Sequence, residues 1–282
     1  DLKSNLVGEY PELQGVMGKY FALAQGFEED VANTVSDHYL PTGLSSSVPK
    51  KPLSYALSIV DKLDSLVGFF AINEKPTSSK DPFALRRAAI GLLRVIIENN
   101  LSIKLRDLIN YSIRLYTDQG VAIENKNTEK ELLDFFKERM RNILKEKKIK
   151  SDIIEASISA HLGDNYLELY KKSVIMNKYF SKDIGKDALY SYKRASSILD
   201  QEIKKSSKEM TGRPDAVLFR KDEEKFLFEK INEIRKSFTV REESKNYEDL
   251  LTQLASVKPL TDHFFDNVVV NDENQDIKNN RL

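Results

Sequence analysis

Apolar side chains recur at three- and four-residue spacing through much of the chain, the period of a helix with one buried face. Ala56, Ile59, Val60, Leu63, Leu66, Val67 and Phe70 form one such stripe, with Asp61, Asp64 and Gly68 on the opposite side. Leu85, Ala88, Ala89, Leu92, Leu93 and Ile96 form a second, and Arg87, Gly91 and Arg94 share another face of the same helix. Asp81-Pro82 predicts its start, because Asp accepts amide hydrogen bonds at an N-cap and Pro at the first position loses only an unpaired donor. A third stripe runs through Leu132, Phe136, Met140, Ile143 and Leu144, and a late one through Leu227, Ile231, Ile234 and Phe238. Prolines at 41, 49 and 52 bracket a loop, residues 73–79 form another, and Asn99-Asn100 closes the second stripe. Further stops stand at Ser151-Asp152, at Lys182-Asp183 with Gly185, and at Arg213-Pro214-Asp215. No segment alternates as a half-buried strand would. The pattern predicts an all-α protein, divided at the polar stretch 118–127 into domains 1–120 and 121–282.

Composition narrows the chemistry. The 282 residues include only 11 Gly and 8 Pro, which favours helix. With 44 basic and 44 acidic residues there is no global field to draw in nucleic acid, so RNA binding would need local patches. There is no cysteine, hence neither a disulfide nor a thiolate metal site, and this fits a cytoplasmic setting. Apolar runs are broken by Arg, Lys or Asp before they reach membrane length.

Three stretches are more specific than any periodicity. They are Glu9-Tyr10-Pro11-Glu12-Leu13-Gln14-Gly15-Val16-Met17-Gly18, Asp61-Lys62-Leu63-Asp64-Ser65-Leu66-Val67-Gly68-Phe69-Phe70, and the run from Pro76 to Ala89 centred on Asp81-Pro82-Phe83-Ala84-Leu85-Arg86-Arg87. In this order they resemble the β subunit of the bacterial two-chain glycyl-tRNA synthetase. Residues 100–109, Leu132-Leu133-Asp134-Phe135-Phe136, Tyr192-Lys193-Arg194-Ala195-Ser196-Ser197-Ile198-Leu199 and Phe264 to Val270 extend the likeness. Ser78-Ser79 departs from the family's usual Gly-Ser pair. The start at Asp1 and the stop at Arg281-Leu282 lead us to expect part of a longer subunit.

The resemblance implies an HD-related helical domain, then a helical anticodon-binding-like domain of the arginyl-synthetase type. It further implies a tRNA-binding and positioning subunit of glycine–tRNA ligase. The partners would be the α subunit, in an α2β2 heterotetramer, and glycine tRNA. The adenylate-forming site, with its ATP and magnesium, would lie on the α subunit, leaving this chain no catalytic residue and no cofactor.

The residues themselves offer little else. HD-type hydrolysis needs converging metal ligands, but His38, His161 and His263 are the three histidines and none precedes an Asp. Asp61 stands where the superfamily's last metal Asp would fall; alone, it is expected to cap or to pair with an arginine. There is neither a nucleophile elbow nor a phosphate-cradling Gly-Lys loop. The candidates are basic. Lys80, Arg86, Arg87 and Arg94 gather near one helix start, where they would hold RNA phosphates. Arg86 or Arg87 would equally serve in a buried pair with Asp61 or Asp64. Lys193 and Arg194 share a helix with Tyr190 and Tyr192, a surface for phosphate contact and base stacking, or a solvated face with tyrosines half buried. Phe264-Phe265 reads as core, and the basic run 137–150 as a solvated face. Two other functions stay open: a metal-dependent phosphohydrolase, and a helical scaffold for the α subunit with little RNA affinity of its own.

Overall fold

The computed structural model describes residues 4–43, 45–161, 163–206, 212–244 and 247–282, among which there is no strand. The chain divides into two compact units, residues 1–173 and 174–282.

The first unit opens with α1 (Asn5–Glu9), α2 (Val16–Ala24) and α3 (Glu29–Asp37). The long α4 (Pro52–Ala71) follows, then α5 (Leu85–Glu98), α6 (Leu105–Asp118), α7 (Thr128–Glu146) and α8 (Ser151–Ala160), while α9 (Tyr166–Phe180) contains the division. α4 packs on α3, α5, α6 and α7, and α7 also packs on α5, α6 and α8. Leu66, Leu92, Leu93, Ile96, Leu132, Phe136, Met140 and Leu144 are fully buried between them. The predicted stripes of α5 and α7 therefore face one core.

α4 departs from its predicted stripe. Ala56 and Val60 are exposed, as are Leu53 and Leu57, whereas Ser54, Ser58 and Lys62 are buried. The reason is polar packing against α3 and its following loop. Ser54 hydrogen-bonds Thr34 at 3.2 Å and Asp37 at 3.0 Å, and Ser58 donates to the Leu40 carbonyl at 2.7 Å. Hydroxyls that satisfy buried acceptors sit inside at little cost, so the buried arc turns toward them.

α5 begins later than Asp81-Pro82 suggests. Residues 81–84 form a turn with Ala84 at φ +54°, and the Asp81 carboxylate accepts from the amides of Leu85 and Arg86 at 2.9 and 3.0 Å. Asp81 still caps the helix, from four residues ahead of it.

The polar stretch 118–127 lies inside the first unit, and the compact units divide elsewhere. Asn125 is buried: its amide donates to the Phe70 carbonyl at 3.1 Å and to Glu131 at 2.8 Å, while its backbone N–H reaches the Ala71 carbonyl. It thus satisfies carbonyls at the end of α4 and ties α7 to it. Composition alone made this segment look like a linker.

The second unit holds the end of α9, then α10 (Asp183–Ser206), α11 (Asp222–Ser244), α12 (Tyr247–Ala255), α13 (Lys258–Asn267) and α14 (Gln275–Arg281). α10 and α11 each pack on α12 and α13. Ile234 is buried in α11, but Ile231 is exposed; the Phe238 side chain lies outside the described residues. Phe264 is buried, as its apolar character predicts. Lys278 of α14 pairs with Glu202 of α10 at 2.5 Å, and Arg281 pairs with Glu224 of α11.

Candidate nucleic-acid interface

The six basic candidates fall into three physical situations. Lys80 and Arg87 are free. A turn in which the Thr77 amide donates to the Lys80 carbonyl, and the Lys80 amide to the Thr77 hydroxyl, leaves the Lys80 ammonium in solvent. Arg87 is exposed on the first turn of α5 and makes no hydrogen bond or ion pair among the described residues. The alternative of a buried pair is not formed, and Asp61 is exposed without a hydrogen-bonding or ion-pairing partner among the described residues, so within them it neither caps nor pairs.

Arg86 and Arg94 hold loops in place. Arg86 donates to the Thr77 carbonyl and lies 3.9 Å from Asp81, so it fastens the 77–81 turn to the helix that follows. Arg94 spans from α5 to the loop before α4. Its Nη1 donates to the Gly43 carbonyl, its Nη2 to the Ser46 carbonyl and its Nε to Glu98, each at 2.8 Å. Only 14% of its side chain is exposed. A phosphate would have to break these contacts to reach it. Arg94→Gln is expected to cost about 1–3 kcal/mol, because it leaves the Ser46 carbonyl without its donor, while the Gly43 carbonyl keeps the Ser46 hydroxyl at 2.9 Å. Urea unfolding checks this, and unchanged stability would show that the loop does not need the guanidinium.

On α10 the two neighbours diverge. Arg194 turns inward over the Phe265 ring, 4.7 Å from its centroid and 3.8 Å from Asp266, and so fastens α10 to α13. Lys193 is exposed, and together with Tyr192, Ser196, Asp200 and Lys204 it lines a shallow groove of about 400 Å3. Tyr190 is 65% and Tyr192 is 69% exposed, well beyond the half-burial of an ordinary amphipathic helix. Lys186, Tyr190, Lys193, Ser197 and Lys204 recur at helical spacing along one stripe, whereas Tyr192, two residues from Tyr190, projects from nearly the opposite side of the helix, over the groove with Ser196. Lys186 is paired with Asp183 at 2.9 Å. Aromatic faces in water beside ammonium groups are what stacking on unpaired bases requires.

Among the described residues no three His, Cys, Asp or Glu side chains converge to hold a metal. His38 places Nδ1 2.8 Å from the Val35 carbonyl, and His263 contacts Asn267. His161 is packed 6.2 Å from the Tyr166 ring, and burial lowers its pKa.

Lys62 is the residue that sequence reasoning overlooked. It is 6% exposed, and its ammonium donates to the His38 carbonyl at 2.9 Å, the Leu40 carbonyl at 3.0 Å and the Ser58 hydroxyl at 2.9 Å. A Cβ on Gly91 would stand 3.0 Å from its Cε, so the glycine of α5 makes room for the buried lysine. The signal was available: Lys62 lies three residues from Ile59 and four from Leu66, on the apolar side of α4.

Comparison with known proteins follows the same division. Residues 1–159 match the family model described as glycyl-tRNA synthetase beta subunit, and residues 188–282 match the DALR anticodon binding domain. The chain is similar over its whole length to the glycine–tRNA ligase beta subunits of Rickettsia africae (42% identical), Dinoroseobacter shibae (37%) and Cereibacter sphaeroides (36%). It covers 40%, 42% and 40% of those proteins, about two fifths of their length. The first match alone takes in more than half of the chain, and on this ground the chain belongs to the glycyl-tRNA synthetase β-subunit family.

Proposed function

We propose that this chain binds and positions tRNA for a glycine–tRNA ligase, and that the ATP-dependent chemistry takes place on a partner α subunit. The observation that carries the reading is the groove on α10 lined by the exposed Tyr192 and Lys193, within the segment that matches an anticodon-binding domain. The Tyr192 face would stack on an unpaired anticodon base while Lys193 and Lys204 meet the phosphates. Lys80 and Arg87 are the free cations through which the first unit would add phosphate contacts. Lys80, Arg87 and Lys193 are thus our tRNA-contact residues, and Arg86, Arg94 and Arg194 hold the surfaces that present them. The partners are glycine tRNA and the α subunit, in a cytoplasmic assembly. The chain would contribute orientation and effective concentration, which can supply a large share of a rate acceleration. ATP and magnesium would be used through the α subunit and not bound here. Among the described residues no helix is long and apolar enough to cross a membrane.

The test is binding of glycine tRNA and a non-cognate tRNA at two salt concentrations, with the α subunit present. Tyr192→Ala is expected to weaken cognate binding by about 5- to 150-fold, the range of one lost stack. Lys193→Gln is expected to lower the salt slope by about 1. If neither variant changes affinity and binding is insensitive to salt, α10 is not the RNA surface and the scaffold reading replaces this one.

A further inference from the structure

We infer that the first unit contains a binding cavity for a single unpaired nucleotide, separate from the α10 surface. The cavity has a volume of about 550 Å3, within the range of small-molecule sites, about 300–1,000 Å3. Each of the three most distinctive stretches of sequence contributes a wall. Glu12 and Gln14 come from the first, Asp61 and Lys62 from the second, and Phe83 and Arg87 from the third. Tyr39 closes the side between them. Segments so far apart in sequence meet here in one concave place.

The polar groups are set for a ligand rather than for one another. Arg87 and Asp61 face the same cavity, yet among the described residues no ion pair joins them, and Glu12 makes no hydrogen bond or ion pair there either. Opposite charges held apart across a hollow keep their full hydrogen-bonding capacity for what enters it. Lys62 does not compete, since its ammonium is already bound to the His38 and Leu40 carbonyls and to Ser58. It fixes the wall that carries Tyr39. Gly15, at φ +84°, leaves room for that ring, since a Cβ there would stand 3.0 Å from Tyr39 Cδ2. Phe83 stacks on Phe69 at 4.0 Å, which gives a second aromatic wall of set orientation.

A nucleotide matches this set. Its phosphate pairs with the Arg87 fork, its ribose hydroxyls or exocyclic amine donate to Asp61 and Glu12, and its base lies against Tyr39 or Phe83. The nucleotide could belong to an RNA strand or be free in solution; the recognition chemistry is the same. No bond is made or broken.

The experiment titrates the 282-residue chain with AMP, GMP, CMP and UMP, and with 5′-phosphorylated trinucleotides, by isothermal calorimetry. One site is expected. Arg87→Gln and Asp61→Asn should each weaken it at least tenfold without shifting thermal unfolding, because neither side chain has an internal partner. Tyr192→Ala should leave it unchanged. Tighter binding of the trinucleotide that persists in Tyr192→Ala and is lost in Arg87→Gln would assign the site to RNA, and equal binding to a free nucleotide; either supports it. The inference is overturned if no nucleotide binds at millimolar concentration, if both variants bind like the parent chain, or if free glycine competes. Loss of tRNA binding in Tyr192→Ala with mononucleotide binding intact bears only on the α10 surface. Failure here therefore stays distinct from failure of the proposed function.

Discussion

Arg281→Met is expected to destabilise the second unit by about 3–5 kcal/mol, the range for breaking a buried ion pair from one side. The Arg281 and Glu224 side chains are 5% and 3% exposed, with Nε 2.7 Å from Oε1. Arg281 Nη1 also donates to Asp272 at 2.8 Å and to the Val269 carbonyl at 2.9 Å. Glu224 accepts in addition from the amides of Arg220 and Lys221, both at 2.8 Å, at the start of α11. This one guanidinium therefore ties α14, the preceding loop and the first turn of α11 together. Methionine would leave the carboxylate buried with amide donors alone. Glu224→Gln in the Arg281→Met background should recover part of the loss, since the amide carries no charge to strand. Chemical denaturation of the single and double variants measures the coupling, and additive losses would mean that the two side chains act independently.

The pH dependence follows from the same pair. Burial pushes the Glu224 pKa up, but the Arg281 hydrogen bond and the two amides outweigh it and hold the carboxyl below its ordinary value. A group depressed on folding contributes stability that is present above its unfolded pKa, about 4.3, and is lost as pH falls through the folded one. The parent chain's advantage over Arg281→Met should therefore shrink as pH falls below about 4.3, where the parent alone loses this contribution.

Lys62→Met is the corresponding lesion in the first unit, with an expected cost of about 1–3 kcal/mol for each buried carbonyl left without its donor. The His38 carbonyl loses its ammonium contact, whereas the Leu40 carbonyl keeps Ser58 at 2.7 Å, so one such cost is the floor. Burial lowers the Lys62 pKa to about 8, against the opposing pull of Asp61, so the ammonium is charged at neutral pH. The cost of keeping it charged is fully present below about pH 8 and is relieved as pH rises toward the unfolded value, about 10.4. Between those limits the unfolded chain binds more protons than the folded one. The parent chain should therefore gain stability over Lys62→Met with rising pH in that window. A gap that narrows instead would show that the folded pKa is not depressed. Loss of the wall at Tyr39 should also abolish nucleotide binding in the cavity.

Much of this was legible in the chain before folding, and the exceptions are instructive. Spacing of Leu85, Leu92, Leu93 and Ile96, and of Leu132, Phe136, Met140 and Leu144, placed two core helices correctly because their buried faces are wholly apolar. The rule failed on α4, where Ser54, Ser58 and Lys62 go inside because α3 and its loop present acceptors that apolar residues could not satisfy. It failed again at 118–127, where one buried asparagine turns a polar segment into a structural joint. Among the basic candidates, the sequence nominated six side chains and favoured the loop residue Lys80 for phosphate, but it could not separate Arg86 from Arg87. Arg194 and Lys193 are adjacent residues, yet one covers Phe265 and the other faces water.

By itself the sequence determined that this is a helical chain without disulfides, and its distinctive stretches carried the family. Both properties are local: period, capping chemistry and motif order are written along the chain and need no partner. Only the tertiary structure decided which charges are spent and which are free. Whether Arg94 holds a loop or Arg87 faces a cavity depends on carbonyls and carboxylates that folding brings from distant segments. A charged group buried beside such partners becomes part of the scaffold, and one left in water without them remains available to a ligand.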